Sequence, residues 1–320
     1  MMHHILKTLL LGAALSGAVM VSPLTFAQDR TVKIIVPFPI GGSTDKVARL
    51  VAPAFAAEIG EQAVVINRGG ASGTIGTAEV ARAAPDGLTL GIVFDSQATN
   101  HHMFKSLPYD TFKSFEYVSL LVSSPHMLAS ATYKTFDELL RDAKQEPGKV
   151  SFGSTGLGTS NHLAPLMLAQ QAGCTFLPVP YQGGGGTYLP DMLTGRFDFS
   201  MGSPAYFMQQ VKAGKLTPLA TGGTKRSPQF PDVPTVAEYF PGYEVSSWVG
   251  VIAPAGTPKA ILEKYQKAFR VAVETPAIKE ILMADGFIIE GSTGPEFLAK
   301  VQHESEKYGK LIRDEKLADK

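Results

Sequence analysis

The chain has 320 residues, 29 basic and 29 acidic, with 44% apolar and 18% charged side chains. That is enough for one large or two medium globular domains with a real core. A formal charge of zero without any block of like charges disfavours a nucleic-acid-binding face, and a single cysteine, Cys174, excludes an internal disulfide or a cysteine-built zinc site.

The first element is a targeting segment. Lys7 precedes the apolar run TLLLGAALSGAVMVSPL, and small residues follow at Thr25 and Ala27. A charged start, an apolar stretch and an A-x-A-like end predict a signal peptide over residues 1–27, cleaved near Ala27, and a periplasmic product. Ser16, Gly17, Ser22 and Pro23 interrupt the run too soon for a membrane anchor. Export without disulfides leaves stability to core burial, with Cys174 expected as a small buried apolar residue.

From residue 31 strand and helix alternate, as in an α/β fold with a parallel sheet. TVKIIVPF reads as a strand. STDKVARLVAPAFAAEIG reads as a helix, with Val47, Leu50, Val51, Ala54 and Phe55 at helical spacing. Ser43 or Thr44 is expected to cap it, Gly60 to stop it, and Pro53 to kink it or break it near Ala52. Strand AVVIN, loop RGGASGTIG, helix TAEVARAA, turn PDG and strand LTLGIVF follow.

The same logic resumes at Lys149. Strand KVSFGS, loop TGLGTSN and helix HLAPLMLAQQAG come first, then strand FLPVPY, loop QGGGGT and helix YLPDMLTG. Strand FDFSMGS, helix AYFMQQVKAG and strand LTPLATGG complete the unit. Two extended stretches, 117–130 and 243–256, are expected to cross between the units, with His126 at the hinge. Helices follow from Pro258, about Thr275 and Pro295. The resulting division is a discontinuous first lobe, 28–124 with 247–320, and a second lobe, 125–246. Two lobes joined by paired strands form a cleft that closes by hinge motion.

Four glycine-rich turns follow strands: Gly41 to Asp45, Gly69 to Thr74, Ser154 to Asn161 and Gly183 to Thr187. Unpaired N–H groups at helix starts bind anions, and glycine admits close approach. Tight βα connection is the plain alternative for any one of them; four rimming one cleft favour a ligand. Phosphate is disfavoured, because no G-x-x-x-x-G-K-[ST] occurs and GLGTSN carries Asn161 where the dinucleotide fingerprint needs glycine. No G-x-S-x-G elbow and no metal-spaced histidines occur either. The residues therefore predict no enzyme, no cofactor and no metal.

These segments resemble the Bug family of extracytoplasmic solute receptors, the TctC-type binding proteins of tripartite tricarboxylate transporters. The resemblance rests on IVPFPIGGSTDKVARL, VVINRGGASGTIGTAEVARAAPDGLTL, PGKVSFGSTGLGTSNHLA, VPYQGGGGTYLPDMLTGRFDF and PGYEVSSWVGVIAPAGTP, in the family's order over nearly all the mature chain. It implies a type II periplasmic binding protein fold, with two Rossmann-like lobes closing over a small organic anion. It also implies a membrane permease as partner. One ligand carboxylate would be held by Phe38, Gly41, Gly42, Ser43 and Asp45 and by Ala71, Ser72, Gly73 and Thr74. Ser96 belongs to the same rim by position. Ser154, Thr155, Thr159, Ser160 and His162 would face it, with Tyr181 and Ser203 from later strand ends.

Few cations lie near these loops, Arg68 being the nearest, so a mono- or dicarboxylate is expected over citrate, aromatic acids included. Tyr181, Tyr188 and Phe38 are candidates for stacking on a ring. His101, His102 and the four-glycine run depart from the family pattern near the expected rim. A receptor that signals to a membrane sensor, and a hydrolase on the same scaffold, are the alternatives; a monomer is the default state.

Overall fold

The computed structural model describes residues 30–181 and 185–318, with the backbone alone for 185–187. The segment read as a signal peptide lies outside those residues, as do positions 182–184 of the fourth glycine turn. All that follows concerns the unit Thr31–Lys320.

In chain order the first part is β1 (Thr31–Val36), α1 (Ser43–Ile59), β2 (Gln62–Asn67), a 3₁₀ turn at Ala71–Gly73, α2 (Thr74–Ala81), β3 (Thr89–Phe94), a 3₁₀ turn at Asp95–Ala98 and α3 (Asn100–Met103). Then come β4 (Phe115–Pro125), β5 (Met127–Ser130), α4 (Phe136–Gln145), β6 (Ser151–Ser154), α5 (Ser160–Ala172) and β7 (Leu177–Pro180). α6 (Gly185–Leu193), β8 (Phe199–Gly202), α7 (Pro204–Lys212), β9 (Thr217–Thr221) and α8 (Val236–Tyr239) follow. The chain ends with β10 (Ser246–Pro254), α9 (Lys259–Glu274), α10 (Pro276–Ala284), β11 (Ile288–Ile289) and α11 (Gly294–Asp314).

Local chemistry accounts for most boundaries and corrects some. Gly60 ends α1 in the left-handed conformation at φ 70°, its N–H returning to Ala56 O, as glycine alone does without strain. Neither Ser43 nor Thr44 caps α1: both lie inside its first turn, and the N-cap is Gly42, with no side-chain capping bond. The helix also continues through Pro53 without a break at Ala52. Pro53 and Arg49 are both exposed, so the carbonyl left unbonded four residues back faces water. α2 and α5 start earlier than expected, at Thr74 and Ser160. α4, absent from the elements read above, opens with a capping box between Thr135 and Glu138, the T-x-x-E signature.

The strands form two sheets. The first runs β11-β4-β10-β3-β1-β2 and the second β7-β6-β8-β5-β9. β1 is parallel to β2 and β3, while β10 lies antiparallel between β3 and β4. β6 is parallel to β7 and β8, and β5 runs antiparallel between β8 and β9. The result is two α/β lobes. The chain leaves the first sheet at Pro125 and enters the second at Met127, with His126 alone between β4 and β5. His126 N–H donates to Val245 O, and Val245 N–H to Gly222 O, which ties the outgoing and returning crossings together.

Each lobe has apolar layers on both sheet faces. α1 and α9 cover one face of the first sheet through Val47, Val51, Phe55 and Phe269. α2 and the start of α11 cover the other, with Phe297 and Val301 against Trp248. In the second lobe α4 and α5 pack on Phe152 and Phe199, while Tyr188, Met192 and Phe207 fill the opposite layer. α11 is shared: its later residues Tyr308, Leu311 and Ile312 pack into the second lobe's core. Cys174 is only partly buried beside that core, because it falls in the turn after the helix-ending Gly173.

Candidate functional site

The first-lobe turns stand side by side after β1 and β2. Gly41 is left-handed at φ 88°, and its N–H donates to Asp45 Oδ2 at 3.0 Å. Asp45 also accepts from Arg49 Nε at 3.0 Å and Asn67 Nδ2 at 2.9 Å. Burial pushes the Asp45 carboxyl up, but bonds from Arg49, Gly41 and Asn67 outweigh it and hold the group below its ordinary value. Asp45 thus braces the turn as a paired anion, leaving the α1 N-terminus without a competing side-chain cap. Asn67 Nδ2 reaches Phe38 O at 3.1 Å as well, which joins the two turns.

The second turn is strained. Ala71, Ser72 and Gly73 are left-handed in succession, at φ 46°, 53° and 89°. Non-glycine residues there cost about 1–3 kcal/mol each and persist only when their surroundings hold them. The hold is on Ser72: its carbonyl accepts from Ser96 Oγ at 2.9 Å and Asn100 Nδ2 at 3.3 Å. Its hydroxyl donates across the cleft to Leu157 O at 3.2 Å. Pro37, Phe38, Gly73, Thr77, Ser96 and Asn100 come together beside the turn with no room for a water molecule between them. Consecutive backbone N–H groups in such a turn form a concavity suited to an anion.

The second-lobe loop between β6 and α5 closes from the other side. Most of its side-chain groups are engaged within the protein. Thr155 Oγ1 donates to Asn161 Oδ1 at 3.0 Å, Thr159 Oγ1 to Gly156 O at 2.8 Å, and His162 Nδ1 accepts from Gly158 N–H at 3.3 Å. Ser160 Oγ bonds Asp95 of the first lobe closely, and Ser160 N–H donates to the same carboxyl at 3.4 Å. Thr99 Oγ1 adds another crossing bond, to Gly158 O at 2.7 Å. Of the site residues named above, Ser43 and Ser154, one in each lobe, have buried hydroxyls with no partner in good geometry. The phenol of Tyr206 on α7 faces Ser43.

Of the remaining expected residues, Ser203 Oγ meets Ser124 Oγ on the crossing strand at 3.3 Å. Tyr181 turns its hydroxyl to Asp191 at 2.8 Å. Tyr188 is fully buried with its hydroxyl against Ser200, so it packs core and offers no face for stacking. His101 and His102 both point at Ser305 Oγ on α11, at 2.9 and 3.0 Å. They hold a helix in place. The groups that sequence reasoning missed are Asn67, Asn100, Thr99 and Asp95, whose signal is a polar run starting abruptly where apolar β2 or β3 ends.

Ser160, His126 and Asp95 have the composition of a hydrolytic triad, but not its connectivity. His126 Nε2 lies 3.0 Å from Ser160 Oγ, while Asp95 bonds the serine instead of orienting the imidazole. All three are at most 3% exposed. Burial pushes His126 down to about 3, His162 down to about 4 and Asp95 up to about 8. Among the described residues no three metal-ligating side chains converge. The guanidinium groups flanking the first-lobe turns are committed, Arg49 to Asp45 and Arg68 to Glu79 at 3.1 Å.

The crossing at His126 and the direct bonds between the lobes fix the geometry, and comparison with known proteins identifies the family. The family model for the tripartite tricarboxylate transporter family receptor, TctC, matches residues 47–317. The chain belongs to this family. This receptor is 36% identical over 295 residues to the UPF0065 protein in the tcbD-tcbE intergenic region of Pseudomonas sp. strain P51, covering 90% of this chain and 87% of that one. Its fold matches the periplasmic binding protein BugD with a TM-score of 0.82 at 32% identity, over 91% of this chain and 99% of the other. An R. palustris protein solved with adipate matches with a TM-score of 0.83 at 30% identity, over 89% and 96%. This is a Bug/TctC-type solute-binding protein, not an enzyme.

Proposed function

We propose that this receptor captures a small organic carboxylate between its lobes in the periplasm and passes it to the permease of a tripartite tricarboxylate-type transporter. The observation that carries the reading is the pair of first-lobe turns: an α1 N-terminus without a side-chain cap, beside three consecutive left-handed residues. Partial positive charge on backbone N–H groups suits one carboxylate and needs no cation. Ser154 Oγ, buried and without a partner, and Ser43 Oγ, faced by the Tyr206 phenol alone, supply neutral hydroxyls from either side, and a ligand would relieve the cost of leaving such a group poorly paired. The carboxylate in the similar R. palustris structure and the periplasmic setting of BugD support ligand class and location.

The proposed lobes are residues 28–124 with 247–320, and 125–246. In support, the two sheets part company at His126, with α11 packing on both.

Thermal unfolding against a panel of mono-, di- and tricarboxylates, sugars and amines tests the reading. At a hundred times its dissociation constant a native-state ligand adds about 2.7 kcal/mol to stability, so a binding acid raises the midpoint by several degrees. Ser43→Ala should weaken that acid several-fold by calorimetry. Stabilisation by sugars or amines alone, with no acid effective, would refute the carboxylate reading.

A further inference from the structure

The N-terminus of α5 faces the first lobe from across the cleft, and in an α/β fold such a helix start is where the far end of a ligand finds donors. Here that position is filled from within the protein. Asp95 leaves the end of β3, crosses to the second lobe and takes both Ser160 Oγ and Ser160 N–H. Asp95 is 3% exposed and, among the described residues, has no ion pair with lysine or arginine. Ser96 N–H is a further donor to it, and Glu304 is the charge that opposes it. The neighbouring side-chain groups of this loop are also engaged: Thr155 by Asn161, Thr159 by Gly156, and His162 by Gly158. Ser154 Oγ, a neutral hydroxyl, is the side-chain group of this loop left without a partner.

We infer that Asp95 is a specificity-determining residue: its carboxyl group occupies the second-lobe anion position, so the cleft selects a monocarboxylate whose far end is uncharged over the dicarboxylate of equal length. The inference rests on the carboxylate reading above and narrows it. The argument is one of occupancy, since Asp95 fills the Ser160 donors whether or not it carries a proton. A second ligand carboxylate would enter a wall whose Ser160 donors and neighbouring side-chain groups are already engaged, and that costs affinity. The similar protein solved with adipate makes a dicarboxylate the competing expectation.

The test is calorimetric titration with matched pairs: hexanoate against adipate, butyrate against succinate, and 4-methylbenzoate against terephthalate. Wild type, Asp95→Asn and Asp95→Ala are compared, with circular dichroism melts to establish folding. In whichever pair binds, wild type should prefer the monocarboxylate at least tenfold. Asp95→Ala, which vacates the Ser160 donors, should move the ratio at least tenfold toward the dicarboxylate. Asp95→Asn keeps the shape and should stay within about threefold of wild type.

Equal or tighter binding of the dicarboxylate by wild type overturns the inference. So does an unchanged ratio in Asp95→Ala, or an equal shift in Asp95→Asn. If the variants fail to fold, the wild-type ratio decides alone. If no acid of any pair binds, the carboxylate reading itself has failed, a result distinct from an inverted ratio.

Discussion

At Gly73 the backbone is left-handed at φ 89°, and an added Cβ would stand 3.1 Å from Phe38 Cζ. Conformation and space both count against an L side chain there, while Phe38 is itself packed edge-on to Phe94 at 5.7 Å. Gly73→Ala should therefore cost about 1–2 kcal/mol in urea unfolding. It should also weaken the bound acid at least tenfold, because the strained turn that presents the N–H groups must relax. Stability lost with affinity intact would separate this turn from the ligand. Ser72 is the complementary case, an ordinary residue held in a glycine-like conformation because Ser96 and Asn100 both fasten its carbonyl. Position in sequence marks Gly73 as special, whereas nothing local marks Ser72.

At the scale of elements, α11 stands out because its apolar stripe serves both lobes. Phe297 and Val301 lie in a first-lobe layer, and Tyr308, Leu311 and Ile312 in the second-lobe core. The fastening near its middle comes from His101 and His102 on Ser305 and from Trp248 Nε1, which donates to Glu304 at 2.6 Å. Ile312 is fully buried, so Ile312→Ala should cost about 2–5 kcal/mol. Hydrogen exchange should place the loosening in α5 and β8 of the second lobe as well as in α11. Loosening confined to first-lobe strands would show that the C-terminal half of the helix is dispensable there. The 3.6-residue periodicity of α11 is legible locally, but not which layer each of its turns enters.

Over the whole molecule the buried titratable groups oppose one another in pH. Desolvation lowers His126 to about 3 and His101 and His162 to about 4, from an ordinary 6.5; the neighbouring His102 adds to the effect on His101. Unfolding lets these imidazoles take protons near pH 6.5, so their share of stability is complete above that pH and declines as pH falls toward 4. Asp95 runs the other way. Burial raises it from 3.8 to about 8, so the folded chain keeps a proton that the unfolded chain has lost, and stability declines as pH rises from about 4 to 8. Three groups against one make stability rise from pH 4 to 6.5, then fall toward 8. Thermal melts across pH 4–9 should thus peak between 6 and 7, with the alkaline decline abolished in Asp95→Asn. A profile flat from pH 4 to 6.5 would show that the imidazoles are not held neutral.

The alternation of apolar strands with amphipathic helices, the glycine turns that follow the strands and the absence of catalytic spacing were all legible from the amino acids. Each depends on neighbours within a few residues: a buried parallel strand needs an apolar run, and a tight turn needs glycine. Helix starts slipped at Thr74 and Ser160, where no side-chain capping bond marks the first turn. The cleft wall was beyond reach in the same way. Asp95 and Ser160 stand 65 residues apart, and Ser72 and Leu157 stand 85 apart, so no local pattern records either meeting. Chain chemistry determined that four glycine-rich turns follow strands. Only the packing of one lobe against the other decided which of their donors the protein spends on itself, because a hydrogen bond across a cleft exists only where the fold brings both partners into it.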